Sequence, residues 1–362
     1  MKILLLGEYS GLFNNLKEGL QKLNQEVVLA SSGDAYKKFP SDVYLTSKPN
    51  RYLYHLDYSY SFLKNLDRLR DFDVVQVINP HLFHPYFPHV NDYILNKIHK
   101  INKALFLSGA GPDAIIWDYW INHKNLYDYS FVDGQREDDY SAGEKLNIME
   151  KSGMLRSNIG MLSKFKGYIP IMFEYALPYN NYQIPQQTIP IPINIDNIPF
   201  RENKIKNKIR VFHGLNRYGV KGTKYIEEAF KILSKKYPND LELVIKGRMP
   251  FNDYKMLLES SNIVIDQVLS YSLSMNSLFA MAYGKVVLGG NEIFSSAELG
   301  YDYNPSINIV PNANQIVECV ERICDNRQLI ETTGYTSRKF VEDFHECKKV
   351  AQKYLDFWGN NI

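Results

Sequence analysis

The stretch "FHGLNRYGVKGTKYI" gathers glycines and cations into one short loop. Gly214, Gly219 and Gly222 let a backbone turn tightly and come close to a ligand. Asn216, Arg217 and Lys221 stand among them, and Thr223 is placed to cap a following helix. Two cations beside open backbone amides suit a diphosphate. The spacing is neither a Walker A loop nor a GxGxxG fingerprint, so a surface strand-to-helix loop with incidental charges explains it almost as well. A second stretch, "YSLSMNSLFAMAYGKVVLGG" from Tyr271 to Gly290, opens on Ser272, Ser274 and Asn276, residue types that cap helices. The first turn of a helix carries unpaired N–H groups, and its dipole favours an anion there. The body "LFAMAY" is apolar on all sides, which predicts a buried helix, and Gly284 ends it in a left-handed cap. Aimed at the glycine loop, such a helix would complete a clamp for a nucleotide diphosphate. The plain alternative is a core helix with ordinary serine caps.

Other candidates are weaker. His81, His84 and His89 lie in "NPHLFHPYFPH" after a strand, where they either line a pocket or pack a loop. "KSGMLRSNIGMLSKFKGY" alternates Lys151, Arg156, Lys164 and Lys166 with Met154, Leu155, Ile159, Leu162 and Phe165. It reads as an amphipathic helix that rests on an anionic membrane or, more simply, packs on a sheet. No His/Cys spacing or acidic pair makes a metal site. Cys319, Cys324 and Cys347 form no CxxC pair, which fits reduced, buried thiols in a cytosolic protein.

The elements that must hold these residues follow from periodicity. A chain of 362 residues suits two domains. Hydrophobic content of 45% and charged content of 23% are those of a soluble globular protein. A net charge of +2 argues against a general nucleic-acid binder. The opening "MKILLLGEYS" is too short for a signal peptide, and no apolar run is long enough to span a membrane. "KILLLGEYSGLFNNLKEGLQKLNQEVVLAS" is a βαβ unit: a buried strand, Gly7 and Gly11, a helix with Leu12, Leu16, Leu20 and Leu23 on one face, and a second strand. "FDVVQVINP" and "KALFLSGAGPD" add further strands. "IRVFHGLNRYGVKGTKYIEEAFKILSKKYP", "LELVIKGRMP", "NIVIDQV" and "KVVLGG" repeat the pattern. The predicted fold is α/β, two tandem Rossmann-like domains with an interdomain cleft, and ligands at the carboxyl ends of the strands. The loops of interest in the first domain are then 7–13, 79–84 and 108–113. The connection falls in the proline- and isoleucine-rich 184–210, whose basic "RENKIKNKIR" is read as a solvated linker. "SRKFVEDFHECKKVAQKYLDFW" is expected to be one amphipathic helix.

Together "HGLNRYGVKGTKYIEEA", "LVIKGRMP", "NIVIDQ" and "LFAMAYGKVVLGG" resemble the retaining GT-B glycosyltransferases similar to glycosyltransferase family 4. The likeness is carried by about Ile209 to Gly290. It implies an acceptor-binding domain over 1–198, a nucleotide-sugar domain over 199–340, and a C-terminal helix over 341–362 crossing back to the first domain. It implies that Lys221 and Arg217 hold the donor diphosphate, with Gly214 and Asn216 in the same loop. The first-turn amides of Ser274, Met275, Asn276 and Ser277, beside Ser272, would join them. The turn Gly247, Arg248 and Met249 would hold the base through its backbone. Asp266, ending a strand, is either part of the donor site or a structural cap. Gly11, His81 and His84 fall on the acceptor side, and Asp113 positions acceptor or sugar.

Two departures from the family pattern stand out, one of them a pair of positions. Its "EAMA" glutamate is Phe279 here, and the earlier glutamate of the pair is Tyr271. Ala110 stands where the family has histidine. The activity implied is a metal-independent, retaining hexosyl transfer from a nucleotide-diphosphate sugar to a glycan or lipid-linked acceptor, in surface polysaccharide or glycoconjugate synthesis. It needs no cofactor beyond the donor substrate and no nucleic-acid partner. The location implied is cytoplasmic, with peripheral contact at the inner membrane face left open. The rival readings are a non-catalytic GT-B protein that binds a partner or glycan, and a sugar-nucleotide epimerase or hydrolase.

Overall fold

The computed structural model describes residues 1–34, 37–45, 54–83, 87–123, 126–134, 142–215, 217–247, 249 and 251–362. Two parallel sheets organise the chain. The first runs β3-β2-β1-β4-β5-β6, from β1 (Lys2–Leu6), β2 (Glu26–Ser31), β3 (Val43–Tyr44), β4 (Val74–Val77), β5 (Ala104–Gly109) and β6 (Gly167–Pro170). The second runs β11-β10-β9-β7-β8, from β7 (Ile209–Leu215), β8 (Leu241–Gly247), β9 (Ile263–Ile265), β10 (Val286–Gly289) and β11 (Ile307–Asn308). Strands flanked by helices on both faces must be apolar throughout. Accordingly Ile3, Leu4, Leu5 and Leu6 are fully buried, as are Ile209, Val211, Ile263 and Ile265. The predicted fold class, α/β with two Rossmann-like domains, is the one observed.

Strand order places the sites. β1 pairs with β2 on one side and β4 on the other, and β7 pairs with β8 and β9. The order therefore reverses between β1 and β4 and between β7 and β9. At such a point the loops leaving two neighbouring strands separate and open a crevice. In the second sheet those loops are the glycine loop and the segment from Asp266 to Ser274.

The compact units divide differently from 1–198, 199–340 and 341–362. Unit 1 comprises 1–122, 145–194 and 346–362, and unit 2 comprises 123–144 and 195–345. The segment 123–144 joins the second unit because its side chains bond there: the Tyr129 hydroxyl donates to Glu292 Oε1 at 2.6 Å. Gly134 lies so close to the glycine loop that a Cβ on it would come 1.9 Å from the Gly219 carbonyl oxygen. The basic run after 200 is not wholly a solvated linker either. Asn203 is buried and exchanges hydrogen bonds with Asn262, its Nδ2 donating to the Asn262 carbonyl at 2.9 Å.

The tail is two helices instead of one. Gln328–Phe340 runs into a π-helical turn, Val341–His345, and a new helix spans Cys347–Asn361. Glu346 leaves helical geometry and accepts from the Lys348 and Lys349 amides, an N-cap inside the predicted helix. The last helix lies against Leu12–Lys22, where a Cβ on Gly19 would come 2.1 Å from the Cys347 carbonyl oxygen. Its Trp358 is fully buried, and the indole N–H donates to Gln76 Oε1 at 2.8 Å. Gln76 Nε2 in turn donates to Ser108 Oγ at 2.8 Å, so the helix is tied to β4 and β5 through a satisfied buried network. Trp358→Ala is expected to destabilise unit 1 by about 3–5 kcal/mol in urea unfolding, by removing a large buried ring and orphaning Gln76.

Candidate active site

β7 delivers the chain to Gly214, where a Cβ would stand 3.1 Å from the Tyr254 ring. The loop then turns through Gly222 into the helix Thr223–Lys236. Thr223 does not cap this helix. Gly222 occupies the cap position at φ +67°, and the Thr223 hydroxyl meets His213 Nε2 at 3.0 Å. His213 Nδ1 lies 2.8 Å from the Ile265 carbonyl oxygen, so that nitrogen carries the proton and Nε2 accepts from threonine. The imidazole is fully buried, and burial pushes its pKa down to about 4. A neutral histidine thus staples the start of the helix to β9.

The Lys221 side chain turns inward. Its Nζ donates to the Gly214 carbonyl at 2.9 Å and to Asp266 Oδ1 at 2.8 Å. Asp266 is almost wholly buried, and its other oxygen accepts from Ser277 Oγ at 2.7 Å and from Ser274 Oγ. Burial alone would raise this carboxyl, but the Lys221 ammonium and the hydroxyl donors outweigh it and hold the pKa below the ordinary carboxylate value. Asp266 is therefore the counter-ion of the loop and caps no helix. Lys221, Asp266, Ser274 and Ser277 form one network, with Gly214 supplying a carbonyl.

The helix Met275–Ala282 begins as expected, on Ser274, whose Oγ accepts from the Asn276 amide at 3.2 Å. Ser272 plays no part in that cap; its hydroxyl pairs with Ser295 Oγ at 2.7 Å. The helix ends in a Schellman turn. Lys285 N–H returns to Ala280 O and Gly284 N–H to Met281 O, with Gly284 at φ +73°. A Cβ on Gly284 would come 2.7 Å from the Phe200 ring. Leu278, Ala280, Met281 and Ala282 are buried, whereas Phe279 is half-buried.

Tyr271 is buried in an aromatic cluster, 4.8 Å from the Tyr127 ring and 5.4 Å from Tyr129. Its hydroxyl donates to the Tyr129 carbonyl. The position thus fastens segment 126–134, and Glu292 completes the attachment by accepting from Tyr129 and, at 2.8 Å, from Asn308. Arg217 is exposed in the loop, and Met249 is half-buried. At Gly247 a Cβ would come 1.7 Å from the Leu215 carbonyl oxygen, its register partner where β7 and β8 end, so that position admits only glycine without a shift. Asn216, Arg248 and His84 lie outside the described residues.

In unit 1, Asp113 is buried behind the end of β5. It is 1% exposed, accepts from the Ile116 amide at 3.0 Å and the Tyr179 hydroxyl at 2.5 Å, and caps the helix Ala114–Asn122. Burial pushes its pKa up to about 6. Gly11 is a buried left-handed turn at φ +88° whose N–H donates to Glu8 Oε1 at 2.9 Å. Glu8, which the sequence did not single out, also takes the Asn14 amide at 2.9 Å. Burial lifts its pKa to about 6. His81 is half-buried beside Asn158. The basic amphipathic segment is two helices broken at Gly153, φ +71°, with Met154, Met161 and Phe165 buried in the unit. Its largest apolar side chains therefore pack inward.

Two measurements test this construction. Lys221→Met alone is expected to cost about 3–5 kcal/mol by leaving a buried carboxylate unpaired. Lys221→Met combined with Asp266→Asn should recover much of that loss in a double-mutant cycle of urea midpoints. Below pH 6.5 the unfolded chain takes a proton that His213 refuses when folded. Its stabilisation is thus complete above that value and is lost as pH falls toward 4. Between pH 7 and pH 5 the loss is about 2 kcal/mol, and His213→Gln should abolish that share. Comparison with the variant cancels the contributions of His81, Glu8 and Asp113.

No family model matches this sequence, and no curated protein matches it. Solved structures resemble it across its length. A sucrose-phosphate synthase from Thermosynechococcus elongatus superposes with a TM-score of 0.65 at 11% identity, covering 99% of each chain. HepE of Anabaena in complex with UDP-glucose gives a TM-score of 0.62 at 11% identity, covering 99% of this chain and 100% of that one. UDP-GlcNAc 2-epimerase from Neisseria meningitidis, bound to UDP-GlcNAc, gives 0.53 at 14% identity and 100% of both chains. At these identities the shared property is the fold, two Rossmann-like domains in tandem.

Proposed function

We propose that this chain is a glycosyltransferase that moves a sugar from a nucleotide-diphosphate donor to a glycan or lipid-linked acceptor, as in surface polysaccharide or glycoconjugate synthesis. The observation that carries the reading is the convergence of a cationic glycine loop and a helix N-terminus on one group, Asp266. Sugar transfer breaks the bond between the anomeric carbon and the leaving diphosphate, and negative charge grows on that phosphate. Preorganised cations and amides lower the barrier there. Lys221 keeps one of its three N–H groups beyond Gly214 and Asp266 among the described residues, and Arg217 is exposed in the same loop. The amides of Met275 and Ser277 sit in the first turn, where intrahelical partners are missing. In this reading Asp266 orients Lys221 and touches no substrate.

Neutralising the leaving group with side chains and amides makes the reaction metal-independent. Transfer with retention fits a leaving phosphate that takes the acceptor proton itself. HepE and the sucrose-phosphate synthase support the sugar-nucleotide class by fold. Peripheral contact with a membrane would fall to exposed Arg156, Ile159 and Lys166. One observation favours a second reading, a non-catalytic GT-B protein or an epimerase. Tyr271 and Phe279 leave no carboxylate pair for the donor, and the Tyr271 hydroxyl is already spent on Tyr129.

Thermal shift against UDP-, GDP-, ADP- and CMP-sugars separates these readings. Stabilisation by one nucleotide class with transfer to an added acceptor is the expected result. No stabilisation by any of them supports partner binding, and turnover to an isomer alone supports the epimerase. With the stabilising donor, Arg217→Ala is expected to lower turnover by up to about 10²–10³, the usual cost of removing one donor to a developing oxyanion. Unchanged turnover would remove Arg217 from the site.

A further inference from the structure

Segment 126–134 touches the loops that leave three neighbouring strands of unit 2. Gly134 packs on the loop after β7, against the Gly219 carbonyl. A Cβ on Gly134 would also come 2.9 Å from Leu269 Cδ1, in the loop after β9. Tyr127 and Tyr129 make ring contacts with Tyr271 in that same loop. The Tyr129 hydroxyl reaches Glu292, in the loop after β10, and the Tyr127 phenol bonds to the same carboxylate. These loops stand at the carboxyl ends of the strands, where such folds bind ligands.

The segment holds its own shape. Ser130 N–H donates to Asp133 Oδ2 at 2.7 Å, and Asp133 N–H returns to the Ser130 carbonyl at 3.0 Å. That turn leaves Asp133 exposed and Phe131 and Val132 buried. Gly134, which follows it, does not have a left-handed φ, so its own backbone makes no demand for glycine. The demand comes from the Gly219 carbonyl, 1.9 Å from where a Cβ would stand. That carbonyl accepts the Gly222 N–H at 2.8 Å, and Lys221 N–H donates to the Arg217 carbonyl at 3.1 Å. Gly134 thus bears on the turn that sets both cations of the glycine loop. Leu269 supports the same turn from the loop after β9, since a Cβ on Gly222 would come 3.4 Å from Leu269 Cγ. Beside it, Val268 N–H donates to the Lys221 carbonyl at 2.9 Å.

We infer that segment 126–134 is a strap whose docking holds the glycine loop in the form that presents Arg217 and Lys221, with Gly134 and Glu292 as its positioning points. Docked, it orders the loop before a ligand arrives, so a ligand bound there loses less conformational entropy. Docking and binding then favour each other reciprocally. Released, the loop joins the locally opening, low-stability part of the unit. The effect on a nucleoside diphosphate rests on the donor reading proposed above, whereas the docking itself does not.

Hydrogen exchange of the full chain, resolved by mass spectrometry with no ligand present, tests the docking. Gly134→Ala is expected to speed exchange over 217–223 by about tenfold or more. Tyr129→Phe, which removes only the hydroxyl on Glu292, should speed the same region by a smaller factor. β7 and β9 should keep their wild-type protection in both variants. Unchanged protection of 217–223 in Gly134→Ala would overturn the strap. Equal loss of protection across β7 and β9 would overturn it too, by making the segment ordinary core. If Gly134→Ala does not fold, Tyr129→Phe decides by the same two criteria. Titration with UDP, GDP, ADP and CDP then tests positioning. A diphosphate that binds wild type should bind Gly134→Ala about tenfold or more weakly, and equal affinity would remove the positioning role. If none of them binds wild type, the donor reading fails and the exchange result still decides the strap.

Discussion

A lysine and an aspartate taken out of water together set the form of unit 2. Desolvating two charges costs several kcal/mol per ion, and their attraction repays it only with good geometry and further hydrogen bonds to both partners. Here those bonds come from separate elements: the Gly214 carbonyl from β7, Lys221 from the glycine loop, and two serines from the start of the helix Met275–Ala282. Together the Lys221 ammonium and the serine hydroxyls outweigh burial and keep the Asp266 carboxyl below the ordinary carboxylate value. The pair thus fixes the relative position of the two loops that leave β7 and β9. His213 adds a neutral tie between the same strand ends, through Thr223 and the Ile265 carbonyl.

The same pair constrains what the site can do. An anion approaching the helix N-terminus meets a slot where a carboxylate already takes two serine hydroxyls and part of the lysine charge. The electrostatic pull on a diphosphate is therefore set by what remains: the third Lys221 N–H, Arg217 and the first-turn amides. A site held rigid by its own counter-ion loses little to reorganisation when charge develops on a ligand, which is the condition for electrostatic preorganisation. Tyr271 adds to the rigidity, because it binds segment 126–134 by ring contacts and by its hydroxyl.

Local pattern carried much of the fold. Ile3–Leu6, "EVVLAS" and Ile209–Leu215 declare themselves by continuous apolarity, and Ser274 and Gly284 announce both ends of their helix by residue type. Long-range pairing was not legible. Nothing near Lys221 says that its partner is Asp266, 45 residues on, and Tyr129 gives no sign of its bond to Glu292. Thr223 looked like a cap because its type and place fit one, but a histidine ten residues earlier claims its hydroxyl. Asp113 stands out in the sequence as a carboxylate at a strand end, but nothing there shows its burial or its bond to the Ile116 amide. The break at Glu346 is not visible in the sequence, because a glutamate is an ordinary residue inside a helix and neither glycine nor proline marks the position.

The central claim is that Lys221 and the first turn of the helix Met275–Ala282 face one pyrophosphate while Asp266 keeps its hold on the lysine. A crystal structure of the chain with a nucleoside diphosphate tests this most directly. The account predicts a phosphate oxygen within hydrogen-bond reach of Lys221 Nζ and of the Met275 or Ser277 amide, with the Lys221–Asp266 contact intact. A diphosphate bound elsewhere, or one that breaks that contact to reach the lysine, would contradict it.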